Sequence, residues 1–267
     1  MTFEPGLVQE SSLAAAIRSR TVDRRPFRKE AISKMFADEL SAQTENLWGI
    51  QFHLLDRSDQ VETLARINSG FEPFLLGHKA LHDDLFRWIR WSDQEAQETQ
   101  DGMPISTLGL NPLDRFSLRF LKRWNVARLF KTLGLTRLAA LRARRVYRQS
   151  AAFGAFTISN TAPTTYVRVG QQWQMLWLKL ASEGWSLQPI MGHSLMAHLC
   201  QKYEGKGLTE KEKERFQRED EAMRDLIGVP PGHSIACLFR IGRSLTPVQT
   251  RAPRRHLSTL LNIIQTD

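Results

Sequence analysis

The sequence predicts an α+β domain in which helices dominate, about four strands form the sheet, and a strongly basic helical pair interrupts the chain. Three observations predict this. Apolar residues recur at spacings of three and four along most of the length. Four short segments read as strands: WGIQFHLL at 48–55, AFGAFTIS at 152–159, residues 186–190 ahead of a helix, and the near-continuous apolar run IACLFRI at 235–241. Positive charge is concentrated in residues 111–150, which hold eleven Arg or Lys against one acid, Asp114, and so exceed the +9 excess of the whole chain.

In chain order, residues 11–19 and 28–41 read as helices flanking the arginine-rich turn Arg20-Thr-Val-Asp-Arg24-Arg25-Pro-Phe27. Helices are expected over 58–67 and 72–91. Residues 92–112 carry Gly102, Pro104, Gly109 and Pro112 and are expected to be a loop. Over 113–131, Phe116, Phe120, Trp124 and Ala127 share one helical face, expected to pack on the core, while Arg115, Arg119 and Lys122 line another. Gly134 interrupts, and a second basic helix runs to about residue 148. Residues 167–180 are the most apolar helix and the expected central one, with Val169, Trp173, Leu176, Trp177 and Leu180 in phase. A helix is expected over 193–204. Thr209 and Glu212 form a capping-box pattern opening a charged helix that Gly228-Val-Pro-Pro-Gly232 stops. A last helix is expected over 254–264.

The composition bounds the function. A chain of 267 residues with 42% hydrophobic and 24% charged residues has the balance of a folded globular protein. Its apolar runs are far shorter than the roughly 18–20 residues of a membrane span. The first ten residues lack the basic and apolar regions of a secretory signal. Cys200 and Cys237 are too few for a disulfide framework or a four-cysteine metal site. The expectation is a reduced, cytoplasmic protein. Neither phosphate-loop pattern, G-x-x-x-x-G-K-[ST] or G-x-G-x-x-G, is present. His78 and His82, four apart, lack an identified third ligand, so no metal site is expected.

Four segments, taken in order, carry a resemblance. They are Ile17-x-x-Arg20-Thr-Val-Asp-Arg24-Arg25-Pro-Phe27, then Asp84-x-x-x-Trp88-x-Arg90 with Asp101-Gly-Met-Pro104 and Leu108-Gly-Leu110, then Val169-Gly-Gln171 through Gly184 to Leu187-Gln-Pro-Ile-Met-Gly192, and finally Leu238-Phe-Arg-Ile-Gly242 with Arg251-Ala-Pro-Arg-Arg255. Together they resemble the FMN-dependent nitroreductase family, and most closely its divergent Acg-like branch. The resemblance spans about residues 13–262. It implies a central, mostly antiparallel sheet surrounded by helices, with 1–110 and 151–267 forming the two parts of the core and 111–150 a basic helical insertion.

The resemblance further implies FMN as cofactor, NAD(P)H as co-substrate, and a nitroaromatic, quinone or related acceptor. Arg20, Arg24, Arg25, Arg254 and Arg255 would supply cations to the phosphate and ribityl chain, arginine being suited to phosphate by its planar fork. The turn Pro189-Ile-Met191-Gly192 would offer a backbone N–H to the flavin ring, glycine permitting close approach. The flavin carries the chemistry, so no catalytic side chain is named. A homodimer is implied. The usual A-P-S-x-x-N-x-Q-P-W stretch is reduced to Ser41-Ala-Gln-Thr-Glu-Asn46-Leu-Trp48, which keeps two other readings open. One is a non-enzymatic protein that binds or sequesters flavin. The other is a cofactor-free relative that binds an anionic partner through its basic helices.

For the basic segment three roles compete: a helical lid, attachment to an anionic membrane surface through 113–148, and nucleic-acid binding. Amphipathic helices commonly cover cores, which favours the lid. Membrane attachment would place the protein at the inner face of a membrane. Nucleic acid is disfavoured, because no recognised binding motif accompanies the cations.

Overall fold

All seven residues of Ala152–Ile158 are buried, and this strand lies inside the sheet around which the chain is wrapped. The computed structural model describes residues 13–42, 48–256 and 259. In order the elements are α1 (Ala14–Ser19), α2 (Lys34–Ala42), β1 (Ile50–Leu55), α3 (Ser58–Ser69), α4 (Glu72–Gly77), α5 (Lys79–Trp88), β2 (Ile89–Arg90), α6 (Asp93–Thr99) and β3 (Met103–Pro104). A 3-10 turn, Ile105–Leu108, leads to α7 (Pro112–Leu121), α8 (Trp124–Thr132) and α9 (Arg137–Tyr147). Then come β4 (Ala152–Ile158), α10 (Pro163–Ser182), β5 (Ser186–Pro189), α11 (Gly192–Tyr203), α12 (Glu210–Ile227) and β6 (Ser234–Gly242).

The main sheet has the order β1-β4-β6-β5, with every neighbouring pair antiparallel. Alternation along β4 sends its side chains to two cores. Phe153 and Ala155 join α3, α4, α11 and α12 on one side, while Ala152, Phe156 and Ile158 join α2 and α10 on the other. The domain is thus helices, sheet, helices. Gly154 belongs to the second face, where the Phe239 ring occupies the place of a side chain: a Cβ there would lie 2.4 Å from its Cε2. The segment after α1 runs beside β5, with Val22 bridged in parallel to Leu187 and Phe27 bridged to Ser244.

α10 fills 20 residues, longer than expected at both ends. Pro163 starts it, where a missing N–H costs nothing. Asn160 Oδ1 accepts from Thr165 Oγ1 at 2.6 Å. The capping box of Thr209 and Glu212 is formed, and Gly228 at φ +75° ends α12.

Several expectations are corrected. The helix expected over 28–41 begins only at Lys34. The one expected over 72–91 is two helices, broken at His78, whose φ of −111° and ψ of 122° are extended. The predicted loop 92–112 contains α6, started by Ser92, whose side chain accepts from the Glu95 N–H. That helix is polar and buries Ala96, so it has no apolar stripe to read. The single helix expected over 113–131 breaks between α7 and α8. Phe116 and Phe120 do not pack on the core: they are 60% and 50% exposed and meet edge to face at 4.8 Å. Residues 254–256 are not helical, and most of the helix expected over 254–264 lies outside the described residues.

Candidate functional site

The arginine-rich turn distributes its three cations by what lies nearest to each. Asp23 is buried, and its carboxylate takes Arg25 Nε and Nη2, both at 2.9 Å, together with Ser244 Oγ at 2.6 Å. Burial opposes the charge on Asp23, but these hydrogen bonds outweigh it and hold its pKa below the ordinary value. Arg25 then reaches Thr246 Oγ1 and the Thr246 carbonyl at 3.0 and 2.8 Å. It ties the turn to the chain beyond β6.

Among the described residues Arg24 pairs with no carboxylate. Its guanidinium donates to the Thr107 carbonyl at 3.4 Å, a long contact, and to Met103 Sδ at 3.5 Å. Burial lowers its pKa, against the attraction of Tyr147 and Asp23. The 3-10 turn is seated on this residue, since a Cβ at Gly109 would lie 3.2 Å from the Arg24 main chain.

Arg20 faces a different place. Its guanidinium lies 4.6 Å from the centre of the Trp177 ring, and its Nε is buried with no hydrogen-bond partner among the described residues. Burial lowers its pKa, and the charge of Arg254 lowers it further. Arg254 itself donates to the carbonyls of Ile17 and Arg20, the latter at 3.0 Å, and Arg251 donates to the Arg18 carbonyl at 3.0 Å. Like charges are therefore held together at the meeting of the N-terminal and C-terminal segments.

A surface cleft of about 360 Å³ opens here, lined by Arg20, Arg28, Arg243, Arg251, Trp177 and Trp185 among others. Ser19, Thr21, Ser186, Ser244 and Thr246 also line it, and among the described residues no Asp or Glu does. Arg243 stacks on Trp185 at 4.5 Å and pairs with Glu30 at 2.8 Å. Four arginines and two indoles around such a volume suit an anionic ligand with a flat ring. Arg28 and Arg243 were not singled out in the sequence, although Arg243 directly follows Leu238-Phe-Arg-Ile-Gly242.

The turn Pro189-Ile-Met191-Gly192 joins the end of β5 to α11. Pro189 is paired with Phe239, Met191 is 51% exposed and precedes the helix, and Gly192 is its first residue. A Cβ at Gly192 would lie 3.0 Å from Phe71 Cβ, so this position needs a small residue for packing as well. Because the segment of Val22 runs parallel to β5, its main chain at Arg24 advances toward this turn's end of the strand, while the guanidinium is held by Thr107 and Met103. Arg255 is exposed. The structure thus brings Arg20 and Arg254 together, places Arg24 along the course of β5, and gives Arg25 to Asp23. Asn46 lies outside the described residues, while Trp48 is exposed under Arg168 at 4.3 Å.

Sequence reading missed Arg240. It is fully buried between the rings of Phe27 and Tyr147, at 4.0 and 5.8 Å. It donates to Gln188 Oε1 at 2.6 Å and to the Arg25 carbonyl at 2.7 Å, while its Nη1 has no hydrogen-bond partner among the described residues. Burial pushes its pKa down to about 10. Its signal was faint, a lone charge inside the apolar run IACLFRI. The Trp88-x-Arg90 and Asp101-Gly-Met-Pro motifs fold on each other: Arg90 grips Asp101 at 2.6 Å, and Ile89 and Arg90 pair in parallel with Met103 and Pro104. His78 and His82 bond the carbonyls of Lys206 and Leu121, each at 2.8 Å.

This arrangement, an antiparallel sheet between helical layers with a cationic junction at its edge, has the fold of the nitroreductases. Three solved structures show the likeness. They are a nitroreductase with bound FMN from Bacteroides fragilis (TM-score 0.52, 10% identity), the FMN and NADPH-dependent nitroreductase NfnB from Sphigopyxis sp. strain HMH (0.52, 14%), and a nitroreductase with bound FMN from Desulfitobacterium hafniense (0.50, 12%). Each alignment covers 96% of this chain and 100% of the other. No family model and no curated protein sequence matches the chain. Among the described residues no helix is long and apolar enough to cross a membrane.

Proposed function

We propose that the protein binds FMN and is an NAD(P)H-dependent oxidoreductase of the nitroreductase type, acting on nitroaromatic, quinone or related acceptors. The observation that carries this reading is that Arg20 and Arg251 border a cleft lined, among the described residues, by no Asp or Glu, with Arg254 bonded to the Arg20 carbonyl beside them, on a fold shared with FMN-bound structures. A bare Nε on Arg20 and like charges in proximity are what a phosphate dianion would satisfy.

In this reading Arg20, Arg251 and Arg254 hold the phosphate, and the main chain of Pro189-Ile-Met191-Gly192 faces the ring. The chemistry that FMN would supply is hydride transfer between NAD(P)H and the acceptor. This chain's part is to bind, to orient and to exclude water. Assembly as a homodimer belongs to the same reading and is supported by Tyr166, Val167 and Met175, apolar or aromatic side chains that α10 leaves exposed.

The test is the visible absorption of the purified protein and of an FMN titration, followed by NAD(P)H oxidation with a panel of acceptors. A yellow protein with turnover supports the proposal. Bound flavin without turnover would instead favour a protein that sequesters it. A colourless protein that does not take up added FMN overturns the reading.

A further inference from the structure

Each helix of the basic segment has two apolar sides, and one of them is turned to solvent. On the inner side Leu118 and Leu121 of α7 pack against Phe86, Ile89 and Ile105, and Val146 and Tyr147 of α9 join the core beneath α3. On the outer side of α7, Leu113, Phe116 and Phe120 are 73%, 60% and 50% exposed. Leu129 and Leu133, at the end of α8, and Leu138 and Leu141 of α9 are all more than half exposed as well. The spacing of three and four places each set on one face of its helix.

The cations divide in the same way. Lys131 pairs with Glu212, Arg142 with Asp114, and Arg144 and Arg148 with Glu62. These four are spent within the protein. Arg115, Arg119, Arg123, Arg128, Arg137 and Arg145 are exposed, and among the described residues none pairs with an acid; Lys122 instead lies over the Trp91 ring at 5.3 Å.

We propose that the outward side of α7, α8 and α9 docks on an anionic lipid surface. Charge and apolarity together select the occupant. A second copy of the chain, meeting this face by twofold symmetry, would set the unpaired cations against themselves. Nucleic acid would neutralise the arginines and leave the leucines and phenylalanines in water. A bilayer with anionic headgroups takes both, the guanidinium groups lying at the headgroups and Leu and Phe entering the acyl boundary. The inference rests on the basic segment alone and is independent of flavin binding.

The experiment is co-sedimentation of the full chain with vesicles of phosphatidylcholine mixed with phosphatidylserine, against vesicles of phosphatidylcholine alone. The wild type is expected to bind the mixed vesicles and to be released by salt. Two variants separate the contributions: Arg115→Glu with Arg119→Glu, and Phe116→Ser with Phe120→Ser. All four positions are exposed, so circular dichroism should show the fold kept. Each variant should lose vesicle binding by about tenfold or more. Equal binding to both kinds of vesicle, no binding to either, or wild-type affinity in the phenylalanine variant would overturn the proposal. So would tighter binding to duplex DNA that the phenylalanine variant retains.

Discussion

Arg254 reaches back to Arg20 and donates to its main-chain carbonyl at 3.0 Å, so two cations far apart in sequence stand side by side at one edge of the sheet. Holding like charges together costs free energy that a bound phosphate would recover. Arg254→Ala is therefore expected to weaken FMN binding by about 10- to 100-fold, the range of a hydrogen bond to a charged group. Riboflavin, which lacks the phosphate, serves as the control. Its affinity should change much less, and equal losses for both ligands in a fluorescence titration would assign Arg254 a purely structural role.

Nε2 of the buried His193 ring donates to Asp220 Oδ1 at 2.5 Å, and Arg224 Nε donates to the other carboxylate oxygen at 2.9 Å. Burial opposes the Asp220 charge, but these bonds win and its pKa falls below the ordinary 3.8. A carboxylate depressed in the folded state contributes stability above its unfolded pKa, and the contribution is lost as pH falls through the folded one. Asp220→Asn should accordingly cost about 1–3 kcal/mol near neutral pH. The gap should narrow below the ordinary carboxylate range, as urea midpoints across the acid limb would show. A gap that does not change with pH would refute this.

Glu72 shows the opposite sign. Its carboxyl is buried and accepts from the Tyr147 hydroxyl at 2.6 Å, and burial raises its pKa above 4.5 despite that bond. Burial and the neighbouring Glu72 raise Tyr147 well above its own ordinary value. Between its unfolded and folded pKa, Glu72 therefore holds a proton in the native state that the unfolded chain releases. Stability should fall as pH rises from the unfolded pKa toward the folded one. Glu72→Gln keeps an acceptor for Tyr147 and removes the titration, so the variant should gain on the wild type as pH rises through that window. Parallel stability profiles would refute the assignment.

Gly154→Ala sets packing against surface. Its new Cβ would lie 2.4 Å from Phe239 Cε2 in the middle of the sheet, where overpacking typically costs about 1–3 kcal/mol. Phe116→Ala removes an exposed ring and should shift the thermal midpoint little. Thermal melts of the two variants should differ clearly, and equal midpoints would contradict the packing described around β4.

Of the candidate site, the residue types were legible and their employment was not. Arg24 and Arg25 are adjacent and chemically identical, yet Asp23 captures Arg25 in a two-oxygen grip while Arg24 is left with a carbonyl and a thioether. Arg240 lay in plain view inside a strand, but only the Phe27 and Tyr147 rings around it show why a charge is tolerated there.

The sequence by itself determined the two inner strands most directly, because β4 and β6 are buried along most of their length and such strands need near-continuous apolar runs. It determined α12 through its caps, and it located the basic segment, because charge is a local property. Tertiary structure decided where helices break, since His78 leaves the helix to bond Lys206 across the fold. It decided that Phe116 and Phe120 face water while Leu118 and Leu121 face the core. A helix with apolar residues on two sides has no periodicity that says which side is inward, and only the packing of its neighbours chooses.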